Sequence, residues 1–219
     1  MSSGRREGTY PTEPRLYLVT PAVEDPRALT AALSDAFGAA SFSAVLLRLA
    51  PADDRTLINR IKAIAPMVQK AGAALIIDGN PRLVAKSGAD GAHLTGIDEF
   101  MDAAEYLKPD WIAGAGGLLT RHDAMLAEEK NADYLMFGEP DEDRHRPSSG
   151  DILERVSWWS EVFQIPCVAY AASLDEIAPL ASAGADFVAI DDFVFSDSSR
   201  VAANVTAAMQ QLADAGVPA

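Results

Sequence analysis

Two aspartates stand side by side where an apolar run stops, Asp191 and Asp192 in GADFVAIDDFVF at 184–195. Adjacent carboxylates can exchange protons with a substrate as an acid and base pair, or face a cation together. They repel an anion. Arg48 interrupts a second apolar run, VLLRLA. A guanidinium in such a setting needs a partner, which is either a bound anion or an internal carboxylate such as Asp78 or Asp192.

Other residues with chemistry to offer end or follow similar short runs. Asp78 closes LIID, His93 sits in GAHL, Asp98 lies shortly after it, and Tyr170 ends PCVAY. Asp78 and Asp98 could hold a hard divalent cation through water, since Mg²⁺ needs only one or two carboxylates. Asp98 equally suits the first turn of the helix IDEFMDAAEYL, where an acid meets the helix dipole. His93 reads as a hydrogen-bonded core histidine, and Tyr170 as a ring that could stack on a flat ligand. The lone Cys167 has apolar neighbours and reads as an inert buried thiol. Trp158 and Trp159 read as helix packing. The run GEPDEDRHRPSSG at 138–150 is either a lid whose Arg144, His145 and Arg146 close over an anion, or a solvated loop with local ion pairs.

Eight short apolar segments carry these residues: LYLVTP, SAVLLRL, AALIID, GAHL, WIAGAG, YLMFGE, PCVAYA and FVAIDD. Between them run segments of helical period, such as RTLINRIKAIAPMVQKAG at 55–72. Strands apolar on both faces and joined by helices imply a parallel sheet. Three junctions repeat one pattern, SGADGAHL, KNADYLMF and AGADFVAI, in which Gly88, Asn131 and Gly184 close a helix in the left-handed conformation. The first strand lacks a G-x-G-x-x-G turn, against a dinucleotide-binding open sheet. The expected fold is therefore α/β, a single-domain (β/α)₈ TIM barrel over residues 15–219, preceded by a mobile tail at 1–14. In such a barrel the loops after the strand ends hold the chemistry.

The chain has 219 residues, 49% of them hydrophobic, enough for one buried core. Its formal charge of -14 argues against nucleic acid and against anionic lipid as partners. No apolar run is long enough to span a membrane, and the N-terminus lacks the apolar segment of a secretory signal. One cysteine permits no internal disulfide, which fits a cytoplasmic setting. The alanine-rich helix RVAANVTAAMQQLADAG at 200–216 could pack on the barrel or pair two copies of the chain as a homo-oligomer.

The strand ends resemble those of the thiamine phosphate synthase family and its relative, the thiazole tautomerase. LYLVT, LRLA, LIID, GADGAHL with Asp98 behind it, ADYLMFG and GADFVAI carry the resemblance, which spans nearly the whole chain after the tail. It implies a (β/α)₈ barrel and a transferase that joins a hydroxymethylpyrimidine diphosphate to a thiazole phosphate, with Mg²⁺, releasing pyrophosphate.

Position by position, much of the family pattern is replaced. The run Gln-x-Arg-x-Lys after the second strand is Leu46 to Ala50 here, retaining only Arg48, the one catalytic residue that the resemblance carries over. Asn-Asp after the third strand becomes Asp78 and Gly79, and His-x-Gly-Gln-x-Asp keeps His93 and Asp98. The resemblance thus gives Asp98 and Asp78 as the metal ligands. The serine after the fifth strand falls on Gly117, and the tautomerase histidine on Leu119, with His122 nearby. Thr-x-Thr-Lys is absent from 138–150, Ile-Gly-Gly becomes Tyr170, Ala171 and Ala172, and the last phosphate-binding serine becomes Asp192. Added Cβ atoms hinder a phosphate's approach to the backbone. The expected ligand is a small heterocycle contacted by Arg48, Asp78, His93, Gly117, Tyr170, Asp191 and Asp192, with a degraded phosphate site and weak or absent synthase activity. The alternatives are a repurposed barrel binding an unphosphorylated or cationic heterocycle, and a tautomerase-like isomerase drawing on Asp191, Asp192 or His122.

Overall fold

In the computed structural model, residues 13–141 and 143–215 are described. Eight parallel strands close on themselves in sequence order: β1 (Arg15–Val19), β2 (Ala44–Leu47), β3 (Ala74–Asp78), β4 (Gly91–Thr95), β5 (Ile112–Gly116), β6 (Tyr134–Phe137), β7 (Cys167–Ala171) and β8 (Phe187–Ile190). β1 pairs with both β2 and β8, so the described barrel has no open edge. The barrel expected from the alternating pattern is present. Of the tail expected over 1–14, residues 1–12 lie outside the described residues.

The helices around the barrel are α1 (Pro26–Ala39), α2 (Asp54–Lys70), α3 (Val84–Ser87), α4 (Ile97–Leu107), α5 (Arg121–Glu129), α6 (Ser149–Val162), α7 (Leu174–Ser182), α8 (Asp192–Phe195) and α9 (Val201–Ala215). Their starts follow local chemistry. Asp53 accepts the Thr56 N–H ahead of α2, Thr120 and Asp123 form a reciprocal capping box on α5, and Ser148 accepts the Asp151 N–H on α6. The third unit is abbreviated: Pro81–Leu83 forms a single 3₁₀ turn before the one-turn α3. α9 packs on α1 and α7 through Val201, Val205, Ala208 and Leu212, so this face of the alanine-rich helix is used within the barrel.

Side chains alternate strictly along the strands. Leu16, Leu18, Val45, Leu47, Leu75 and Ile77 face the helices, while Tyr17, Val19, Leu46, Ile76, Tyr134, Met136, Val168, Tyr170 and Ala189 fill the barrel. The alternation fixes which residues reach the mouth at the C-terminal strand ends. Arg48, Asp78 and Asp191 each stand two residues beyond an interior side chain, whereas Asp192 has the opposite parity and opens α8.

The three repeated junctions do two things. Gly88, Asn131 and Gly184 have φ of 82°, 63° and 99°, the left-handed turn expected of them. The aspartate two residues later then clamps the preceding strand: Asp90 accepts the Leu75 N–H at 2.7 Å, Asp133 that of Ala113 at 2.7 Å, and Asp186 that of Cys167 at 2.8 Å. These clamps tie β4 to β3, β6 to β5 and β8 to β7 at the N-terminal end of the barrel.

Candidate functional site at the barrel mouth

Arg48 occupies the mouth just after β2. Its Nη1 lies 3.5 Å from Asp191 Oδ2 and its Nε 3.7 Å from Asp78 Oδ2. The expected internal pairing thus holds for Asp78 but passes to Asp191 rather than Asp192, because only Asp191 shares the interior parity. The Tyr170 hydroxyl also donates to Asp191 Oδ2. Burial raises the Asp191 pKa above the usual carboxylate range and the Asp192 charge adds to this, with Arg48 opposing both.

Asp192 is half exposed and takes Arg144 Nη2 at 3.0 Å. Arg146 reaches further in. Its Nε donates to the Gly138 carbonyl at 2.7 Å, its Nη2 to the Tyr170 carbonyl at 2.8 Å, and both terminal nitrogens to Glu176, at 3.1 and 3.2 Å. The guanidinium also lies over the Tyr170 ring, 5.6 Å from its centroid. The loop after β6 is therefore strapped across β7 and β8 by ion pairs to residues 30 and 48 positions further along the chain, and one face of Tyr170 is covered by a cation. Glu176 also receives the Ala172 N–H at 2.8 Å. Burial works to raise the Glu176 pKa, but the hydrogen bonds from Arg146 and Ala172 outweigh it and hold the carboxyl below its usual range.

His93 is buried, as expected of a core histidine, within a line of polar groups along the barrel axis. Tyr17 and Tyr134 share a hydroxyl–hydroxyl bond of 2.9 Å, and Tyr134 meets His93 Nδ1 at 3.1 Å with the two rings stacked. His93 Nε2 faces Glu139 Oε1 at 3.6 Å. Burial raises the pKa of both tyrosines well above the usual phenol range, so both stay neutral. Gly117 donates its N–H to Glu139 Oε1 at 2.5 Å, which makes its backbone the support of a carboxylate.

Asp98 is exposed in the first turn of α4, beside Glu99. Asp78 is turned on Arg48, and among the described residues no group of three His, Cys, Asp or Glu side chains could hold a metal ion. The donor set does not make a Mg²⁺ site by itself. His122 and Leu119 are exposed on and before α5. Cys167 is buried and its thiol pushed up to about 12 by desolvation, the inert thiol expected. Trp159 is fully buried against Phe137 and Phe163, with Trp158 partly exposed beside it.

Sequence reasoning alone did not find Glu139, Tyr17, Tyr134 or Glu176. Tyr17 and Tyr134 carry the interior parity of their strands, a signal that would have found them. Glu139 is brought back into the barrel by Gly138, whose φ of 91° no side-chain-bearing residue adopts readily.

Residues 16–192 match the family described as thiamine monophosphate synthase. The thiamine-phosphate synthase of Rhodospirillum centenum is 36% identical over 198 residues, covering 89% of this chain and 95% of that protein. That of Hyphomonas neptunium is 34% identical over 203 residues, covering 88% and 91%. The solved thiamine phosphate pyrophosphorylase from Pyrococcus furiosus shares the fold, with a TM-score of 0.75 at 22% identity across 93% of this chain and 97% of that one. Matched along most of its length by the family and by near full-length relatives, this barrel belongs to the thiamine monophosphate synthase family.

Proposed function

We propose that the chain keeps the synthase scaffold but not its grip on phosphate and diphosphate. On this reading, coupling of hydroxymethylpyrimidine diphosphate to thiazole phosphate is weak or absent, and the mouth takes an unphosphorylated or cationic heterocycle. The observation that carries it is the seat of Glu176. Its carboxylate occupies the Ala172 N–H at the end of β7, together with both terminal nitrogens of Arg146, where the family's Ile-Gly-Gly would offer amides to a phosphate. The other mouth arginines are engaged in the same way, Arg48 by Asp78 and Asp191 and Arg144 by Asp192.

A phosphate monoester brings nearly two charges at neutral pH. One carboxylate held about 4 Å from one of those charges repels it by about 4 kcal/mol at an effective dielectric of about 20, or about a thousandfold in affinity. Among the described residues, Asp78 and Asp191 set two carboxylates against the one guanidinium of Arg48, a balance that favours a cation. Mg²⁺, if it enters with a diphosphate, would meet Asp78 already committed to Arg48, and no step is assigned to it.

The near full-length identity to proteins named as synthases favours a second reading, that the parental coupling persists through the substituted residues. Incubating the pure protein with both synthase substrates and Mg²⁺ decides between them. We expect no turnover, with a thermal shift from thiamine or free thiazole and none from thiazole phosphate. Clear turnover that Arg48→Ala abolishes would overturn the proposal and establish the second reading.

A further inference from the structure

We propose a second binding site at the end of the barrel opposite the mouth, a hollow that takes one neutral aromatic ring. It stands apart from whatever the mouth binds.

The hollow holds about 220 Å³ where the strands begin. Its walls come from the lowest interior positions of several strands. Ala44 and Ala74 lie side by side on β2 and β3, and Ile112 and Phe187 open β5 and β8. Two residues higher on β2 and β3 the interior positions carry Leu46 and Ile76. Bulky branched side chains dominate the interior layers of such barrels, so two neighbouring alanines at one level leave room.

The room is kept open by what borders it inside the barrel. Tyr17 and Tyr134 line it, with their ring centroids 5.8 Å apart and their planes tilted by 56°. Their hydroxyls bond to each other at 2.9 Å, and that of Tyr134 also meets His93 Nδ1 at 3.1 Å. Rings anchored at their tips cannot swing down into the space without giving up those bonds, and buried hydroxyls need partners. An apolar cavity of about 150 Å³ already admits benzene. This one is larger and open on one side to a ligand.

The polar groups around the hollow are committed, which sets the class of ligand. The main-chain N–H groups of Ser43, Ala74, Ile112 and Asp133 each donate to a main-chain carbonyl. The Asp133 carboxylate takes Lys108 Nζ at 2.6 Å and the Ala113 N–H at 2.7 Å. Ser43 Oγ is closed off from solvent. A ligand entering here meets carbon on almost every side, and a charged group would lose its water without replacement. Three aromatic side chains, Tyr17, Tyr134 and Phe187, stand in the wall and offer edges and faces to a fourth ring, which favours an aromatic ligand over an alkyl chain.

The test titrates fluorobenzene into the full-length protein and follows its fluorine NMR signal, with benzoate as a charged ring of similar size. We expect a saturable shift that excess thiamine leaves in place, since thiamine would sit at the mouth. Affinity should fall about tenfold or more in Ala74→Leu, whose longer side chain enters the hollow, and benzoate should bind about tenfold or more weakly than fluorobenzene. Ala44→Val makes the same comparison with a smaller filler, and circular dichroism checks that each variant is folded. No saturable shift would overturn the site, because the hollow would then hold only water or be covered by other parts of the chain. An affinity unchanged in the folded fillers, or displacement by thiamine, would overturn it by placing the ring elsewhere. Equal affinity for benzoate would overturn the neutral class. Synthase turnover bears on none of these outcomes, so this site and the reading of the mouth can fail separately.

Discussion

Replacing Arg48 with alanine isolates the electrostatics of the mouth. The substitution removes the cation that lies 3.5 Å from Asp191 and 3.7 Å from Asp78 and leaves both carboxylates in place. At an effective dielectric of about 20, the closer pair alone attracts by about 5 kcal/mol. Much of that is offset by the desolvation of two groups that are mostly withdrawn from water, so the net loss is about 2–3 kcal/mol. In a domain of this size that lowers the melting temperature by about 5–10 °C. The pH dependence is more telling than the size. Burial and Asp192 already raise the Asp191 pKa against the pull of Arg48, so removing the arginine raises it further. A carboxyl whose folded pKa exceeds its unfolded value contributes stability below the unfolded pKa and loses it as pH rises through the folded one. Arg48→Ala is therefore expected to show its full loss at pH 8 and a smaller one at pH 5, by urea denaturation. Adding Asp191→Asn to Arg48→Ala should recover part of the pH 8 loss, because no uncompensated charge then remains beside Tyr170. An equal loss at both pH values, or no recovery in the double variant, would refute this account of the mouth.

Two further outcomes test the loop strap and the core. Glu176→Gln should leave the Ala172 amide without its anion and loosen Arg146, giving faster hydrogen exchange at Ala172 and faster proteolysis between residues 138 and 148 at pH 7. Because the folded pKa of Glu176 is depressed, its contribution is present above the unfolded value and fades as pH falls through the folded one, so variant and wild type should converge in acid. Cys167, with its thiol held near 12, exposes about one thiolate in ten thousand at pH 8, and a disulfide reagent should label it only at the rate of unfolding.

Much of the barrel is legible in the sequence because its signals are local and repeated. Apolar runs of strand length, helical spacing between them and a left-handed residue opening each GAD or NAD joint all recur within windows of about ten residues. The parity of a strand is equally local, and it places Arg48, Asp78 and Asp191 in the mouth. The remainder depends on groups far apart in the chain. Arg146 meets Glu176 thirty residues on, and Arg144 meets Asp192 forty-eight residues on, through a loop with no periodicity to read. Glu139 sits in a run of acids that composition describes as solvated, and only the turn at Gly138 sends it inward instead. Asp191 and Asp192 look equivalent as letters. A single residue of register makes one an interior partner of Arg48 and the other a surface partner of Arg144.

The aspartate clamps at the opposite end of the barrel bear on how such a protein can change. Asp90, Asp133 and Asp186 fix the stagger of three neighbouring strand pairs from below, with bonds to main-chain amides that do not depend on what the loops above contain. Closure of the barrel and chemistry at its mouth are thus specified by separate sets of residues at separate ends. The groups at the top can therefore be exchanged without disturbing the bonds that hold the strands in step. The same division makes the scaffold suited to redesign: new recognition groups can be written onto the strand ends while the clamps below keep the cylinder intact.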